Sequence, residues 1–310
     1  MSDQALGRSG VLSRAPDNAQ PTATRRRSAS LWSDASRRLR RNRVAMAGAV
    51  VLELVVIVAV AAPLIAPYDP IKIDASEALQ EPGGRHLFGT DQFGRDIFSR
   101  VLYGGQLSLR IGLISVGIAS LAGVVLGLLA GYYGGWISSV IMRLMDMLLA
   151  FPGILLALGI VAILGPSLIN VMIAVGISSI PQYTRVVRAS VLSLKSMAYV
   201  DAARVIGCGD RRIMFGHILP NILASLIVLA TLGVASAILT AASLSFLGLG
   251  VQPPTPEWGA LLNGGRDLLR NGWWITTFPG LAIMVTVLAI NLLGDGLRDA
   301  LDPRLKLRGD

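Results

Sequence analysis

Six long apolar runs, separated by polar and turn-rich segments, dominate the chain after a polar opening stretch. A run of about 18 or more apolar residues is long enough to cross a bilayer as a helix. We therefore predict an all-α, polytopic membrane protein with six transmembrane helices, at about residues 44–66, 107–129, 137–164, 168–180, 222–247 and 279–297. The fourth run is short, and we expect its helix to continue past Pro181 toward Arg185.

The polar segments divide the chain into parts. Residues 1–43 are predicted to form a disordered basic tail, in which Leu31, Trp32 and Leu39 indicate a short amphipathic helix on the membrane surface. The remaining parts are the first transmembrane helix and an outer loop (44–106), a helical core (107–300) with a cytoplasmic loop at 185–219, and a C-terminal tail (301–310).

The charges support one orientation for this topology. The chain is 53% apolar and 15% charged, with a net charge of +9. Twenty of its 28 Lys and Arg residues lie in segments that the topology places inside, and six lie in segments placed outside. By the positive-inside rule, we expect both termini in the cytoplasm. The basic residues are not interleaved with aromatics, so we expect contacts with membrane lipid and none with nucleic acid.

One charged segment lies between the fourth and fifth runs. It begins with a helix-forming stretch at Asp201-Ala202-Ala203-Arg204, is broken at Gly207 and Gly209, and ends in Leu219-Pro220. A helix–glycine–helix element of this length is too short for a catalytic domain and suits docking of a soluble partner. The alternative is an ordinary basic loop between two spans.

The same segment resembles the EAA loop of ABC importer permeases. The positions of that pattern are occupied by Asp201, Ala202, Ala203, Gly207, Leu219 and Pro220. Asp201 stands in place of Glu, and His217 stands where the general pattern has an apolar residue. The resemblance implies that this loop forms the coupling helix, which inserts into a cleft of the ATPase subunit.

A second motif lies in the first outer loop. It resembles the FGTDxxGRD signature of the C-type permease subunit of peptide and nickel importers. The matching residues are Phe88, Gly89, Thr90, Asp91, Gly94, Arg95 and Asp96. Two further motifs, Arg143-x-x-Asp146 before Phe151-Pro152 and the segment 253–259, are also similar to this branch. We interpret the outer motif as a folded cap. His86 has no second His or Cys nearby, so no metal site is expected.

Several ionisable residues lie within predicted spans, and Glu53, Arg143 and Asp146 are the candidates for a polar function there. Glu53 needs a partner or a watery cavity in lipid, and the simpler interpretation is a carboxyl that faces a neighbouring helix. Arg143 and Asp146 are three residues apart and can pair on one helix face. Phe151-Pro152-Gly153 is expected to kink the third span, either as a gating hinge or as a packing feature.

The chain lacks the usual signatures of catalysis. It has no GxxxxGK[ST] loop, no Ser-His-Asp pattern and no metal-ligand cluster, and its lone cysteine, Cys208, rules out an internal disulfide. We predict no enzymatic activity, no catalytic or metal site, and no cofactor bound by this chain. The alternatives are a stand-alone carrier or channel, and a membrane enzyme that uses Glu53, Asp146 or Asp295.

The resemblance also implies an assembly. It implies a bacterial or archaeal inner-membrane protein that pairs with a second permease subunit, two ATP-binding subunits that hold ATP and Mg²⁺, and an extracytoplasmic substrate-binding protein. Peptides are the first expected cargo. Similar permeases carry dipeptides, oligopeptides, nickel or glutathione.

Overall fold

The computed structural model describes residues 31–301, with side chains from residue 36. The predicted disorder of residues 1–30 and the predicted C-terminal tail from residue 302 therefore lie outside the described residues. Within them the fold is all-α, and its helices are α1 (Leu31–Arg41), α2 (Arg43–Val60), α3 (Ala62–Ile65), α4 (Ile97–Tyr133), α5 (Gly135–Leu149), α6 (Gly153–Leu164), α7 (Leu168–Lys195), α8 (Ala198–Val205), α9 (Asp210–Arg212), α10 (Leu219–Phe246), α11 (Trp258–Gly265) and α12 (Trp274–Leu301).

The predicted spans correspond to α2, α4, the pair α5 and α6, α7, α10 and α12. Four helical stretches are individually long and apolar enough to cross a membrane: α2, α4, residues 210–246 and α12. The pair α5 and α6 would make a fifth. Helix α7 has the length, but its second half carries Arg185 and Arg188. The polytopic helical fold is confirmed, and the count of six is approximate.

Two expectations need correction. The end of the disordered tail was placed too late, at residue 43, since residues 31–41 form α1, which contacts α12. The short helix expected around Leu31, Trp32 and Leu39 is present. The third span is not one kinked helix, since α5 and α6 meet at 88° around residues 150–152. Pro152 removes a backbone donor at the break and serves as the N-cap of α6.

Helices α4 and α7 form the most extensively packed pair. Along α4, a methyl group on Gly127 or Gly131 would come within 2.6 Å or 2.7 Å of the Cβ of Val187 or Val191 on α7. Small residues at this spacing let the backbones approach closely, as in other membrane helices. The two helices run parallel, because the contacts on both increase in residue number together.

Helix α10 packs on both α4 and α12. Small residues of α10 pack within this chain: Ala235, Ala237, Ala241 and Ala242 are buried. Ser236, between two of them, is exposed. The buried alanines allow close packing of α10 against its neighbours.

Candidate coupling surface and outer cap

The charged segment predicted to dock a partner folds as two helices around a glycine break. Helix α8 ends at Val205, and Gly207 follows with φ +82°, a conformation that glycine adopts without strain. Helix α9 and a π-helical turn, Ile213–Ile218, lead directly into α10. Pro220 lies in the first turn of α10, directly after the π-helical turn.

One face of this coupling segment is part of the protein's own core. Val200, Ile213 and Ile218 are fully buried and cluster with Leu128 of α4 and Val187 of α7. Ala203 belongs to the same cluster and is only 4% exposed. The α8 periodicity turns Ala203 toward α4 and α7, so within this chain it is a core residue.

The opposite face of the coupling segment is exposed and apolar at its tip. Val205 is 87% exposed and Ile206 is 79% exposed, immediately before Gly207. Most of the other predicted coupling residues are also exposed, namely Asp201, Ala202, Arg204, Gly209 and Pro220. Leu219 is partly buried. Two adjacent, almost fully exposed aliphatic side chains are unfavourable in water and typical of a docking surface. The sequence motif pointed to this segment but not to Val205 and Ile206.

Tyr132, at the inner end of α4, joins the coupling segment to the spans. Its hydroxyl donates a 2.6 Å hydrogen bond to Oδ1 of Asp210, and Lys195 Nζ donates to its carbonyl oxygen. The guanidinium of Arg204 lies 5.9 Å from its ring centroid. The residue therefore contacts the ends of α7, α8 and α9 at once. Sequence analysis missed it, although the tyrosine precedes a glycine-rich turn.

The acidic residue of the motif makes only a local contact. Asp201 accepts a 3.0 Å hydrogen bond from Nη1 of Arg204, three residues along α8. Both side chains are solvent-exposed, so the pair contributes little to stability. Its position on the open face leaves it available to another chain.

The outer signature motif folds into a polar cap on α4. Asp96 is the N-cap of α4 and accepts a 2.7 Å hydrogen bond from the backbone N–H of Ser99. Asp91 accepts a 2.7 Å hydrogen bond from Nε of Arg95. Gly94 has φ +72°, and a methyl group there would lie 1.7 Å from the carbonyl oxygen of Asp74. The glycine is therefore required by both conformation and space.

The remaining signature residues attach this cap to the last helix. The indole N–H of Trp274 donates a 2.9 Å hydrogen bond to the carbonyl oxygen of Thr90. Phe88 stacks on Phe278 of α12, with ring centroids 3.9 Å apart. Gly89 has φ +74° and lies against the Trp274 indole. The interpretation of the motif as a folded cap agrees with these contacts.

His86 lies buried at the base of the cap between two carboxylates. Its Nδ1 is 2.8 Å from Oδ1 of Asp96, and its Nε2 is 2.9 Å from Oε2 of Glu77. Burial lowers the pKa of His86, but the hydrogen bonds to Asp96 and Glu77 outweigh it and raise the pKa above its usual value. Among residues 36–301 no group of three or more His, Cys, Asp and Glu side chains is arranged to hold a metal ion.

The segment 253–259 anchors α11 to α4. Glu257 is buried, and its carboxylate accepts 2.9 Å hydrogen bonds from the backbone N–H groups of Gly259 and Ala260. Burial raises the pKa of Glu257, and these backbone hydrogen bonds partly offset the increase. The indole N–H of Trp258 donates to the carbonyl oxygen of Val101 at 2.9 Å.

The ionisable residues within the spans behave differently from expectation. Asp146 does not pair with Arg143. Its Oδ1 lies 2.6 Å from Nη2 of Arg185 on α7. Glu53 is exposed on α2, and its carboxylate forms no hydrogen bond or ion pair with another described residue. The prediction that Glu53 faces a neighbouring helix is not met within this chain.

These features define a polytopic helical membrane protein with an exposed apolar tip on one side and a folded cap on the other. Residues 123–307 match the family described as binding-protein-dependent transport system inner membrane component. Residues 30–82 match the N-terminal transmembrane domain of oligopeptide transport permease C. The chain belongs to this family of inner-membrane permeases, and the resemblance to the C-type subunit of ABC importers is confirmed.

Curated relatives cover almost the whole chain. It is 47% identical to the dipeptide transport system permease protein DppC of Alkalihalophilus pseudofirmus over 93% of this chain and 95% of the relative. It is 53% identical to the di/tripeptide permease DppC of Pseudomonas aeruginosa over 86% and 89%. It is 49% identical to the glutathione permease GsiD of Pectobacterium atrosepticum over 89% and 92%. These findings do not favour a stand-alone carrier or a membrane enzyme.

Proposed function

We propose that this chain forms half of the translocation pathway for short peptides and is driven by ATP hydrolysis on partner subunits. The partners are a second permease subunit, two ATP-binding subunits that hold ATP and Mg²⁺, and an extracytoplasmic substrate-binding protein. The chain itself binds no cofactor. Both termini and the coupling segment lie in the cytoplasm, in keeping with the excess of Lys and Arg in those segments.

The observation that carries this proposal is the two-sided coupling segment. Its inner face packs on α4 and α7, while Val205 and Ile206 extend outward almost fully exposed. A partner that binds this tip can push on α4 and α7 directly, because no flexible linker separates the exposed face from the buried one. An ATP-driven change in the partner then shifts the membrane helices between two arrangements.

Cross-linking tests the docking. After Cys208→Ser, a single cysteine is introduced as Ile206→Cys, with Ala203→Cys on the buried face as the matched control. Ile206→Cys should form cross-links to a co-expressed ATP-binding subunit, and Ala203→Cys should not. Cross-linking from neither position, in a complex that still transports, would contradict docking at this tip.

Transport in proteoliposomes tests the cargo. The relatives named for dipeptide, di/tripeptide and glutathione transport make small peptides the first candidates. The complete complex should take up a labelled dipeptide in an ATP-dependent manner, and unlabelled dipeptide should compete better than nickel or glutathione. Preferential competition by glutathione or nickel would reassign the substrate while leaving the permease assignment intact.

A further inference from the structure

A small cavity lies beneath the outer cap, at the outer end of α4. Its volume is about 60 Å³, and its walls come from the signature loop, from the segment that leads into α11, and from α12. The polar side chains that line it are Asp91, Gln92, Arg95, Arg100 and Thr255. The cavity therefore lies where the two sequence motifs of the outer face meet.

The charges around this cap cavity do not balance. Arg100 is only 3% exposed, and Arg95 and Asp91 are also buried. Asp91 contacts Nε of Arg95 at 2.7 Å, whereas Nε of Arg100 lies 3.9 Å away, beyond hydrogen-bond distance. No other charged residue lines the cavity within the described part of the chain. One carboxylate thus serves two buried guanidinium groups.

Two buried polar atoms at the cap cavity also lack a hydrogen-bond partner among the described residues. They are Nε of Arg100 and Oε1 of Gln92. The other end of the Arg100 guanidinium is held, since Nη1 donates to the carbonyl oxygen of Pro70 at 2.7 Å. A buried cation with an unused donor is costly unless an anion or a strong acceptor compensates it.

The Gln92 amide can serve as a donor at the same place. Rotation by about 180° around its last side-chain bond exchanges Oε1 for the Nε2 donors without changing the space that the amide occupies. Arg100 Nε and the Gln92 amide then both offer donors at the cavity that these residues line. Thr255, which also lines the cavity, offers a hydroxyl.

We propose that the cap cavity binds a small monovalent anion, of which chloride is the natural candidate. The anion accepts hydrogen bonds from Arg100 and Gln92, supplies the missing negative charge, and thereby fastens the signature loop to the segment 253–264. A water-sized volume is about 10–15 Å³ on this measure, so the cavity accepts a halide but not a peptide or a large organic anion.

Thermal unfolding of the purified chain in detergent tests the site without any transport assay. Replacing gluconate with chloride at constant ionic strength should raise the unfolding midpoint saturably, by about 2–4 °C. Bromide should replace chloride, and its anomalous signal should appear within hydrogen-bond distance of Nε of Arg100. A midpoint that does not distinguish chloride from gluconate, or an ordered water in place of the bromide peak, would overturn the proposal.

A charge substitution sharpens the test. Gln92→Glu places a fixed carboxylate where the anion would lie, so the midpoint should stay high in gluconate and no longer respond to chloride. Gln80→Glu is the matched control, since it adds the same charge to an exposed position of the same loop. It should keep the chloride response of the wild type. A chloride response that survives in Gln92→Glu would place any halide effect elsewhere.

Discussion

The contact of Tyr132 with the coupling segment leads to a specific prediction. Its hydroxyl hydrogen-bonds Asp210, its carbonyl oxygen accepts from Lys195, and its ring lies beneath Arg204. Tyr132→Phe removes the hydroxyl and leaves the ring and the backbone in place. We expect the coupling segment of this variant to move independently of α4 more often than in the wild type.

The magnitude follows from the environment of the hydrogen bond. A hydrogen bond to a charged group contributes about 1.5–3 kcal/mol. Asp210 is exposed, so water can replace part of the hydrogen bonding that the Tyr132 hydroxyl supplied. We therefore expect the free energy that holds the coupling segment to α4 to fall by about 1 kcal/mol. A loss of that size shifts the equilibrium between attached and detached segments about fivefold.

The assay is the number of peptides taken up for each ATP hydrolysed by the reconstituted complex. Tyr132→Phe should lower this ratio several-fold, because hydrolysis on the partner continues while the motion reaches α4 less often. Tyr133→Phe is the matched control, as Tyr133 is 45% exposed and its hydroxyl bonds to no other described residue. The control should keep the wild-type ratio.

Two results would refute this reasoning. One is an unchanged ratio in Tyr132→Phe. The other is an equal loss in Tyr133→Phe, which would point to a general effect of the tyrosine pair. A double-mutant cycle with Asp210→Ala locates the effect further: the double variant should be no worse than either single variant, because both remove the same hydrogen bond.

The other predictions concern the two faces of the coupling segment and the outer cap. Ala203→Leu should destabilise the folded chain by about 1–3 kcal/mol through overpacking, whereas Ala202→Leu on the exposed side should leave the thermal midpoint nearly unchanged. The Ile206→Asp variant should insert into the membrane and keep its thermal midpoint, but it should lose peptide uptake and should no longer retain the ATP-binding subunit in a pull-down. Recovery of the full complex with this variant would contradict docking at Ile206. Folding raises the pKa of His86 above 6.5, so protonated His86 stabilises the folded chain. This stabilisation is complete below pH 6.5 and is lost as the pH rises through the pKa that His86 has in the folded chain. The unfolding midpoint should therefore fall toward alkaline pH in the wild type, and less steeply in His86→Gln.

Much of the helical fold was predictable because hydrophobicity over a length of bilayer is a strong signal. Pattern alone also identified the segment at α8 and α9, since glycine and Leu-Pro spacing are local properties. The bend between α5 and α6 was only partly predictable. Phe151-Pro152-Gly153 indicated a kink, but the angle of 88° depends on how α5 packs across α7.

Which residues of a motif face inward could not be deduced from the motif itself. Ala202 and Ala203 are equivalent in the pattern, yet one is exposed and the other is in the core. The choice is made by residues of α4 and α7 that are more than ten positions away in the chain, namely Leu128, Val187 and Val191. Likewise, Asp146 pairs with Arg185 and not with its helical neighbour Arg143, because tertiary packing brings α7 closer than the next helical turn.

Helix α4 links the two functional faces. With 37 residues it is about 55 Å long, more than a bilayer's hydrocarbon thickness of about 30 Å, so part of it projects beyond the apolar region. Its outer end is capped by Asp96, and its inner end is held through Tyr132. Between them, Gly127 and Gly131 allow α4 to pack closely against Val187 and Val191 of α7.

This arrangement determines how a displacement travels. If the proposed partner docks at Ile206, a push there would pass through the buried face of α8 to α4 and α7 together, since both helices contribute to the same core cluster. The displacement would then reach the outer cap, because Asp96 of the cap is the N-cap of α4. Fastening the cap more tightly would therefore resist movement at the coupling segment. On this reasoning, occupancy of the cap cavity by an anion should slow the transport cycle as well as stabilise the fold.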